Sequence, residues 1–225
     1  MNYLFSGKSL RNQRPINMDS LLLKSGLISG KKALLAVVCD GVGSLADGAF
    51  ASKRAVQMLS GWFNKADTSD RIGLALRDAI IAINSHIIKE IGKANIRAAS
   101  TLSALLLIDR YYYIAHIGDS RIYSYQDGIL SILTSDDVSE MGKLTACIGQ
   151  TENIFLQYYE GEARGKTFLI CSDGLYKRMD TGFMRAKIKT WDKCSAEEVI
   201  KNLTQYVIEQ GEQDNISIAL LKTED

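Results

Sequence analysis

Two consecutive helical patterns, placed between groups of short apolar runs, constrain the fold of this chain more than any other feature of its sequence. The first places Ala51 and Leu59 on one face, and the second repeats isoleucine or leucine at helical spacing from Ile72 to Ile91. A third helical segment begins at Ser195 with a pattern typical of a capping box. Two helices in a row, with strands before and after them, predict an α+β fold in which a β-sandwich is flanked by helices. They argue against a regular strand-helix-strand alternation.

Short apolar runs rich in Val, Ile and Tyr predict the strands. They occupy residues 20–23, 34–39, 101–108, 111–117, 121–125, 130–133, 154–159, 167–171 and 216–222. Two turn pairs, Asp109-Arg110 and Asp127-Gly128, predict hairpins between neighbouring strands. No internal repeat and no linker-like segment interrupts this pattern, so we expect residues 1–225 to form a single catalytic domain.

The charge and cysteine content limit the classes of ligand and compartment. The chain has 27 Lys and Arg against 26 Asp and Glu, and a formal net charge of +1 argues against nucleic acid or an anionic membrane as a partner. Its four cysteines lie far apart, which predicts free thiols in a reducing compartment rather than a zinc site. No secretion signal is evident and the apolar runs are strand-sized, so we expect a cytoplasmic protein.

Four aspartates stand at the ends of predicted strands. Asp40, Asp119 and Asp173 follow apolar runs, and Asp214 precedes the last run. Each one alone is explained by a turn, because Asp-Gly and Asp-Asn are common turn pairs. All four together indicate a cluster, since a sheet can bring the ends of its strands to one place. Clustered carboxylates repel one another unless a cation neutralises them.

The chemistry of such a cluster points to divalent metal ions. Oxygen ligands favour Mg²⁺ or Mn²⁺ over zinc or copper. The glycine that follows Asp40 allows the backbone to approach an ion closely. Two ions that share a carboxylate can activate a water molecule, and the usual substrate of that arrangement is a phosphate ester. A small-molecule phosphatase or a nuclease could use the same cluster, and both remain open at this point.

Seven segments of the chain resemble, in order, the motifs of the metal-dependent (type 2C, PPM-type) serine/threonine protein phosphatases. Together they span nearly the whole sequence, and they match a bacterial-type member. The segments are RPINMD (14–19), DGVGSLADGAFAS (40–52), ASTLSALLL (99–107), IGDSRIY (117–123), LTACIG (144–149), CSDGLY (171–176) and QDNISI (213–218). The resemblance implies a four-layer arrangement, with a central antiparallel β-sandwich between two layers of helices.

The resemblance also implies a metal site with Mn²⁺ or Mg²⁺. Asp40 would bridge two ions, with the Gly41 carbonyl on one of them. Asp173 and Asp214 would hold the other ion. Asp119 would join Asp173 at a third, weaker position found in bacterial members.

The resemblance implies the reaction and its partners as well. Arg14 would bind the substrate phosphate, and Asp19 would support Arg14 or the waters around the ions. The expected reaction is hydrolysis of phosphoserine and phosphothreonine in proteins by a metal-activated water, without a covalent phosphoenzyme. The implied partners are phosphorylated proteins and a cognate serine/threonine kinase.

Three departures from the family pattern are visible, and two of them carry expectations of their own. Met18 stands where an acid or amide is usual, so we expect a weaker second metal site. Asp136-Asp137 replaces an Asp-His pair. Only residues 135–143 occupy the place of a variable flap, so the flap should be nearly deleted and the mouth of the site open.

One alternative function stays open. A non-catalytic member of the same fold could act as a module that binds phosphoproteins or a kinase. Retention of Asp40, Asp173 and Asp214 argues against it, because a protein without catalysis has no need of a repulsive acid cluster. The histidines His86 and His116 are expected to be structural.

Overall fold

A computed structural model of the protein describes residues 2–45, 47–67 and 71–224. Its strands are β1 (Asn2–Leu10), β2 (Ser20–Ile28), β3 (Lys31–Cys39), β4 (Leu102–Ile108), β5 (Tyr111–Ile117), β6 (Arg121–Gln126), β7 (Ile129–Ile132), β8 (Gln157–Glu162), β9 (Thr167–Cys171) and β10 (Ile216–Glu224). Its α-helices are α1 (Gly48–Lys65), α2 (Ile72–Ala94), α3 (Asp173–Tyr176), α4 (Thr181–Lys189) and α5 (Ala196–Glu209). In the described parts of the chain, no helix is both long enough and apolar enough to span a membrane.

Two antiparallel sheets of five strands form the centre of the molecule. The first has the order β1-β10-β9-β6-β7, and the second has the order β2-β3-β4-β5-β8. Because side chains alternate between the two faces of a strand, β3 serves two cores at once. On its inner face, β3 packs against the first sheet. There Leu34, Ala36 and Val38 lie in one core cluster with Phe168 and Ile170 of β9.

The outer faces of both sheets are covered by helices. Leu35 and Val37 of β3 turn away from the other sheet and pack with Leu59 of α1 and Ile80 of α2. On the first sheet, Leu169 and Ile218 pack with α4 and α5, through side chains such as Met184 and Leu203. Both faces of each central strand are therefore buried, which explains the continuous apolar runs in the sequence. The predicted four-layer α+β arrangement is confirmed.

The local signals of the sequence are largely confirmed. Asp127 and Gly128 have positive φ angles of 51° and 80°, and they form the hairpin turn between β6 and β7. Asp109, with φ 53°, begins the turn between β4 and β5. Ser195 caps α5, because its hydroxyl accepts a hydrogen bond of 3.2 Å from the backbone of Glu198.

Three of these elements were missed, and one strand was placed too early. β1, α3 and α4 were not predicted, and β8 begins at Gln157 rather than at residue 154. β1 alternates poorly because most of its side chains are exposed or half-buried, and its pairing with β10 defines it. The helix α4 begins after Asp180, whose carboxylate accepts a 2.7 Å hydrogen bond from the backbone of Phe183. That cap is a visible signal for a short helix.

Candidate active site

One cavity of about 610 Å³ collects six of the seven site residues that the sequence predicts. It lies where the β1–β2 loop, the ends of β3 and β9, the β5–β6 turn and the start of β10 come together. The predicted residues that line it are Arg14, Asp40, Gly41, Asp119, Asp173 and Asp214. The seventh, Asp19, is buried behind them and is 5% exposed.

Asp40 is fixed by the backbone at the end of β3. Its amide donates to the Thr101 hydroxyl at 3.0 Å, and its carbonyl accepts from the Thr101 amide and the Ser100 hydroxyl, both at 2.9 Å. A Cβ at Gly41 would lie 2.7 Å from the carbonyl oxygens of both Met18 and Gly48. Only glycine therefore allows these three backbone segments to meet beside Asp40.

Asp173 is placed by an equally tight backbone contact at the start of α3. A Cβ on the next residue, Gly174, would lie 2.0 Å from the carbonyl oxygen of Asn215. The glycine therefore lets the segment after β9 lie directly against the segment before β10, which carries Asp214. The Lys177 ammonium, one helical turn from Asp173, makes an ion pair with its carboxylate.

Asp214 and Arg14 form a two-point ion pair across the cavity lip. The Arg14 Nε and Nη2 donate to the two carboxylate oxygens at 2.8 and 2.7 Å. Burial alone would raise the pKa of Asp214, but the hydrogen bonds from Arg14 and from the Asn215 amide outweigh it and hold that pKa below its ordinary value. The guanidinium is thus held at the mouth of the cavity, with about half of its side chain exposed.

Asn215 fixes the loop that carries Arg14, and the sequence reasoning missed it. Its side-chain amide donates to the carbonyl oxygens of Arg11 and Ile16 at 2.8 and 3.1 Å. Its carbonyl oxygen accepts from the Met18 amide at 2.9 Å. One side chain therefore ties the β1–β2 loop to the start of β10. The Asp-Asn pair was the available signal, but it was interpreted only through its aspartate.

The turn that carries Asp119 rests on buried polar side chains. The His116 Nε2 faces the carbonyl oxygens of Gly118 and Ser135 at 3.1 and 3.2 Å, so it carries the proton and donates. Its Nδ1 accepts from the Ser103 hydroxyl at 2.8 Å, and burial lowers the pKa of the imidazole. Asp137, in the place of the family's histidine, accepts from the Gly118 amide at 2.8 Å. His116 is structural, as expected.

Negative charge accumulates around the cavity. Burial raises the pKa of Asp40 well above its ordinary value, and the charges of Asp19, Asp173 and Asp119 raise it further. Burial and the charge of Asp173 raise the pKa of Asp119 to about 6.

Asp19 shows the same excess of negative charge deeper in the protein. Burial raises its pKa to about 6, although the hydroxyls of Ser172 and Ser217 act in the opposite direction. One of its oxygens accepts from Ser172 at 2.8 Å, and among the described residues the other, Oδ1, is buried without a hydrogen-bond partner.

Comparison with known proteins identifies the family. The sequence model described as protein phosphatase 2C matches residues 7–207. The chain belongs to the protein phosphatase 2C family. Curated relatives in this family are named serine/threonine phosphatases. One is the serine/threonine phosphatase stp of Listeria monocytogenes, 28% identical over 215 residues that cover 84% of each chain. Another is the serine/threonine protein phosphatase PstP of Mycobacterium tuberculosis, 28% identical over 64% of this chain and 32% of that protein.

Solved structures share the fold over almost their whole length. A bacterial serine phosphatase superposes with a TM-score of 0.90 at 18% identity, covering 99% of this chain and 98% of that one. PppA of Pseudomonas aeruginosa, described as a regulatory component of T6SS, has a TM-score of 0.84 at 25% identity, with 99% and 98% coverage. The catalytic domain of PstP, in a structure described as a complex with two manganese ions, has a TM-score of 0.85 at 23% identity and covers 99% of each chain.

The cavity of this protein phosphatase 2C member has a donor set that suits a hard divalent cation. Its charged side chains that could bind a cation are carboxylates. The raised pKa values of Asp40 and Asp119 indicate that nearby positive groups do not fully balance the negative charge of these carboxylates. In the described parts of the chain, however, no group of three His, Cys, Asp or Glu side chains is arranged so that it could hold an ion as it stands. Asp214 is turned toward Arg14 and Asp173 toward Lys177, so each of these carboxylates would have to leave its basic partner before it could bind a metal ion.

Proposed function

We propose that this protein hydrolyses phosphoserine and phosphothreonine side chains of proteins with the help of two Mn²⁺ or Mg²⁺ ions. The observation that carries the proposal is the convergence of four aspartates and one exposed arginine on a single cavity. The serine/threonine phosphatase names of the curated relatives support the substrate class. The acid cluster also argues against a module that only binds phosphoproteins, since such a module needs no repulsive charge in its pocket.

The proposed ligands follow the positions of the carboxylates. Asp40 and the Gly41 carbonyl would hold one ion, and Asp40 would share a second ion with Asp173 and Asp214. Asp119, beside Asp173, would contribute to a third, outer position. Bound ions would supply Lewis-acid activation of the phosphoryl group and of the attacking water.

Arg14 would receive the phosphate of the substrate. Its guanidinium offers two parallel donors, which it presents to the Asp214 carboxylate and which fit two phosphate oxygens equally well. The exposed side chain can turn toward the cavity, and its charge would offset the negative charge that develops during phosphoryl transfer. Asp19, hydrogen-bonded to the Ser172 hydroxyl next to Asp173, would orient polar groups behind the ligands.

The decisive experiment compares phosphate release with and without metal. A phosphothreonine peptide is incubated with the protein in EDTA, in Mn²⁺ and in Mg²⁺, and released phosphate is measured. We expect release only with a divalent ion. Peptide binding without release in every metal would instead establish the non-catalytic binding module.

We expect Met18→Glu to lower the Mn²⁺ concentration that gives half-maximal activity by about tenfold, since a carboxylate is a better ligand than a thioether for a hard cation. Met18 lines the cavity, and its backbone carbonyl lies beside Gly41. A Mn²⁺ titration of activity checks this expectation. Met18→Leu is the matched control, because it keeps an apolar side chain of similar size. Equal midpoints for all three proteins would show that position 18 does not govern metal binding.

Lys177→Met should increase the affinity for Mn²⁺ by about tenfold, because the ammonium that pairs with Asp173 competes with an incoming cation. Isothermal titration of the protein with Mn²⁺ measures this without any substrate. Lys177→Arg keeps the positive charge and should behave like the unchanged protein. An affinity that is unaltered or weaker in Lys177→Met would contradict the competition.

The setting of the enzyme follows from the same proposal. We place it in the cytoplasm, where its four cysteines, which form no disulfide, would stay reduced. A serine/threonine kinase would be its counterpart, because hydrolysis of a phosphoester requires an enzyme that forms the ester. We further propose that residues 1–225 act as one catalytic domain, since the cavity draws on segments from both ends of the chain.

A further inference from the structure

The mouth of the acidic cavity has an apolar rim on two sides. On one side, Pro15 and Ile16 follow Arg14 in the β1–β2 loop and line the cavity. On the other side, Gly142 and Leu144 line it from the segment that connects β7 to β8. Ile16 is 54% exposed, although an isoleucine gains free energy when it leaves water.

The second side of the rim is a tight and well-bonded turn. Val138 and Leu144 form a β-bridge, and the Ser139 amide donates to the Lys143 carbonyl at 2.8 Å. The Gly142 amide donates to the Ser139 carbonyl at 2.8 Å, and Gly142 itself has a φ of 71°. The short segment expected to replace the flap is therefore an ordered turn. It carries Met141, 78% exposed, directly before the cavity-lining Gly142.

The spacing along the chain relates this rim to the phosphate. Ile16 is two residues from Arg14, so their Cα atoms are at most about 7 Å apart. In an extended peptide the residues directly before and after the phosphorylated residue have their Cα atoms about 3.8 Å from its own, which is well within that distance. A substrate whose phosphate reached Arg14 would thus bring an adjacent side chain close to Ile16, and Leu144 lines the same cavity. Exposed apolar side chains grouped beside a polar site are typical of a binding surface.

We propose that Ile16, Leu144 and Met141 form an apolar subsite that selects phosphoproteins with a large apolar residue next to the phosphoserine or phosphothreonine. The inference rests on the proposed function, because the cavity must hold the phosphate for the rim to meet a neighbouring residue. The occupant is a substrate segment because the rim is continuous with the catalytic cavity.

The test uses two phosphothreonine peptides that differ only in the residues on either side of the phosphothreonine. One carries leucine at both positions and the other carries asparagine, so their net charge is the same. We expect kcat/KM of the unchanged protein to be about tenfold higher for the leucine peptide. In Ile16→Asn and in Met141→Asn the ratio should fall toward one. Leu27→Asn, a matched control, replaces a side chain outside the cavity whose exposure lies between those of Ile16 and Met141, and it should keep the full ratio.

The outcomes separate this inference from the proposed function. p-Nitrophenyl phosphate has no neighbouring residues, so its Mn²⁺-dependent hydrolysis reports the catalytic centre alone. If it is hydrolysed but the two peptides react equally, the apolar subsite is wrong and the phosphatase function stands. A preference for the asparagine peptide, or a leucine preference that survives in Ile16→Asn and Met141→Asn, also overturns the subsite. If neither peptide nor p-nitrophenyl phosphate reacts with Mn²⁺ or Mg²⁺, the proposed function is wrong and the subsite is overturned with it.

Discussion

Replacement of Asp40 by asparagine is expected to reduce phosphate release by about 10³-fold or more, while it raises the melting temperature of the metal-free protein. The loss of activity would follow from the loss of the carboxylate that we propose to be shared by both ions, since metal ions supply several kcal/mol of transition-state stabilisation. The gain in stability follows from the removal of a half-buried charge that Asp19, Asp173 and Asp119 repel. Phosphopeptide turnover in Mn²⁺ and thermal unfolding in EDTA measure the two effects.

Asp127→Asn is the matched control for this variant. Asp127-Gly128 is also an Asp-Gly pair at a strand end, but it forms the β6–β7 hairpin turn, and asparagine tolerates its positive φ angle. We expect normal turnover from Asp127→Asn. Similar activity of the two variants would show that Asp40 is only a turn residue. A lower melting temperature of metal-free Asp40→Asn would contradict the electrostatic account.

Asp19→Asn is expected to make the metal-free protein more stable at pH 7.5 by about 3 kcal/mol, which corresponds to a pKa raised from 3.8 to about 6. Between those two values the folded protein binds more protons at Asp19 than the unfolded chain does. The stability of the unchanged protein therefore falls as the pH rises through that window, and the whole penalty is present above pH 6. Asparagine carries no charge to bury and still offers an oxygen to the Ser172 hydroxyl.

Urea unfolding in EDTA at several pH values between 4.5 and 7.5 measures this difference. We expect the gap between Asp19→Asn and the unchanged protein to shrink as the pH is lowered. Asp78→Asn, on the exposed surface of α2, is the control and should show no such pH dependence. A gap that is independent of pH, or a less stable Asp19→Asn at pH 7.5, would show that burial of the Asp19 charge is not what limits stability.

The sequence predicts the positions of the carboxylates well, for a physical reason. Asp40, Asp119 and Asp173 each follow an apolar run. Both the run and the position where it ends can be recognised from the sequence alone. The central strands are buried on both faces, so their apolar runs are long and unambiguous. The predicted strand ends give the positions of the loops, and these loops form the cavity.

The features that escaped prediction depend on partners far away in the chain. The three side-chain hydrogen bonds of Asn215 are made to backbone atoms of residues between Arg11 and Met18. Every residue has such backbone atoms, so the sequence does not indicate which of them Asn215 contacts. The pairing of Arg14 with Asp214 likewise joins residues 200 positions apart. β1 has no buried side chain, so its strand character comes from its hydrogen bonds to β10 rather than from alternation.

The pairing of β1 with β10 sets an order of events during protein synthesis. β10 lies between β1 and β9, so the first sheet is incomplete until β10 has been made. Every strand of the second sheet precedes it in the chain, and that sheet can pair beforehand. Arg14 follows β1 and Asp214 precedes β10, so the cavity acquires both residues only when the two strands meet. A nascent chain that is still short of β10 therefore lacks the pairing of Arg14 with Asp214, and on the proposed function it would not yet act on phosphoproteins.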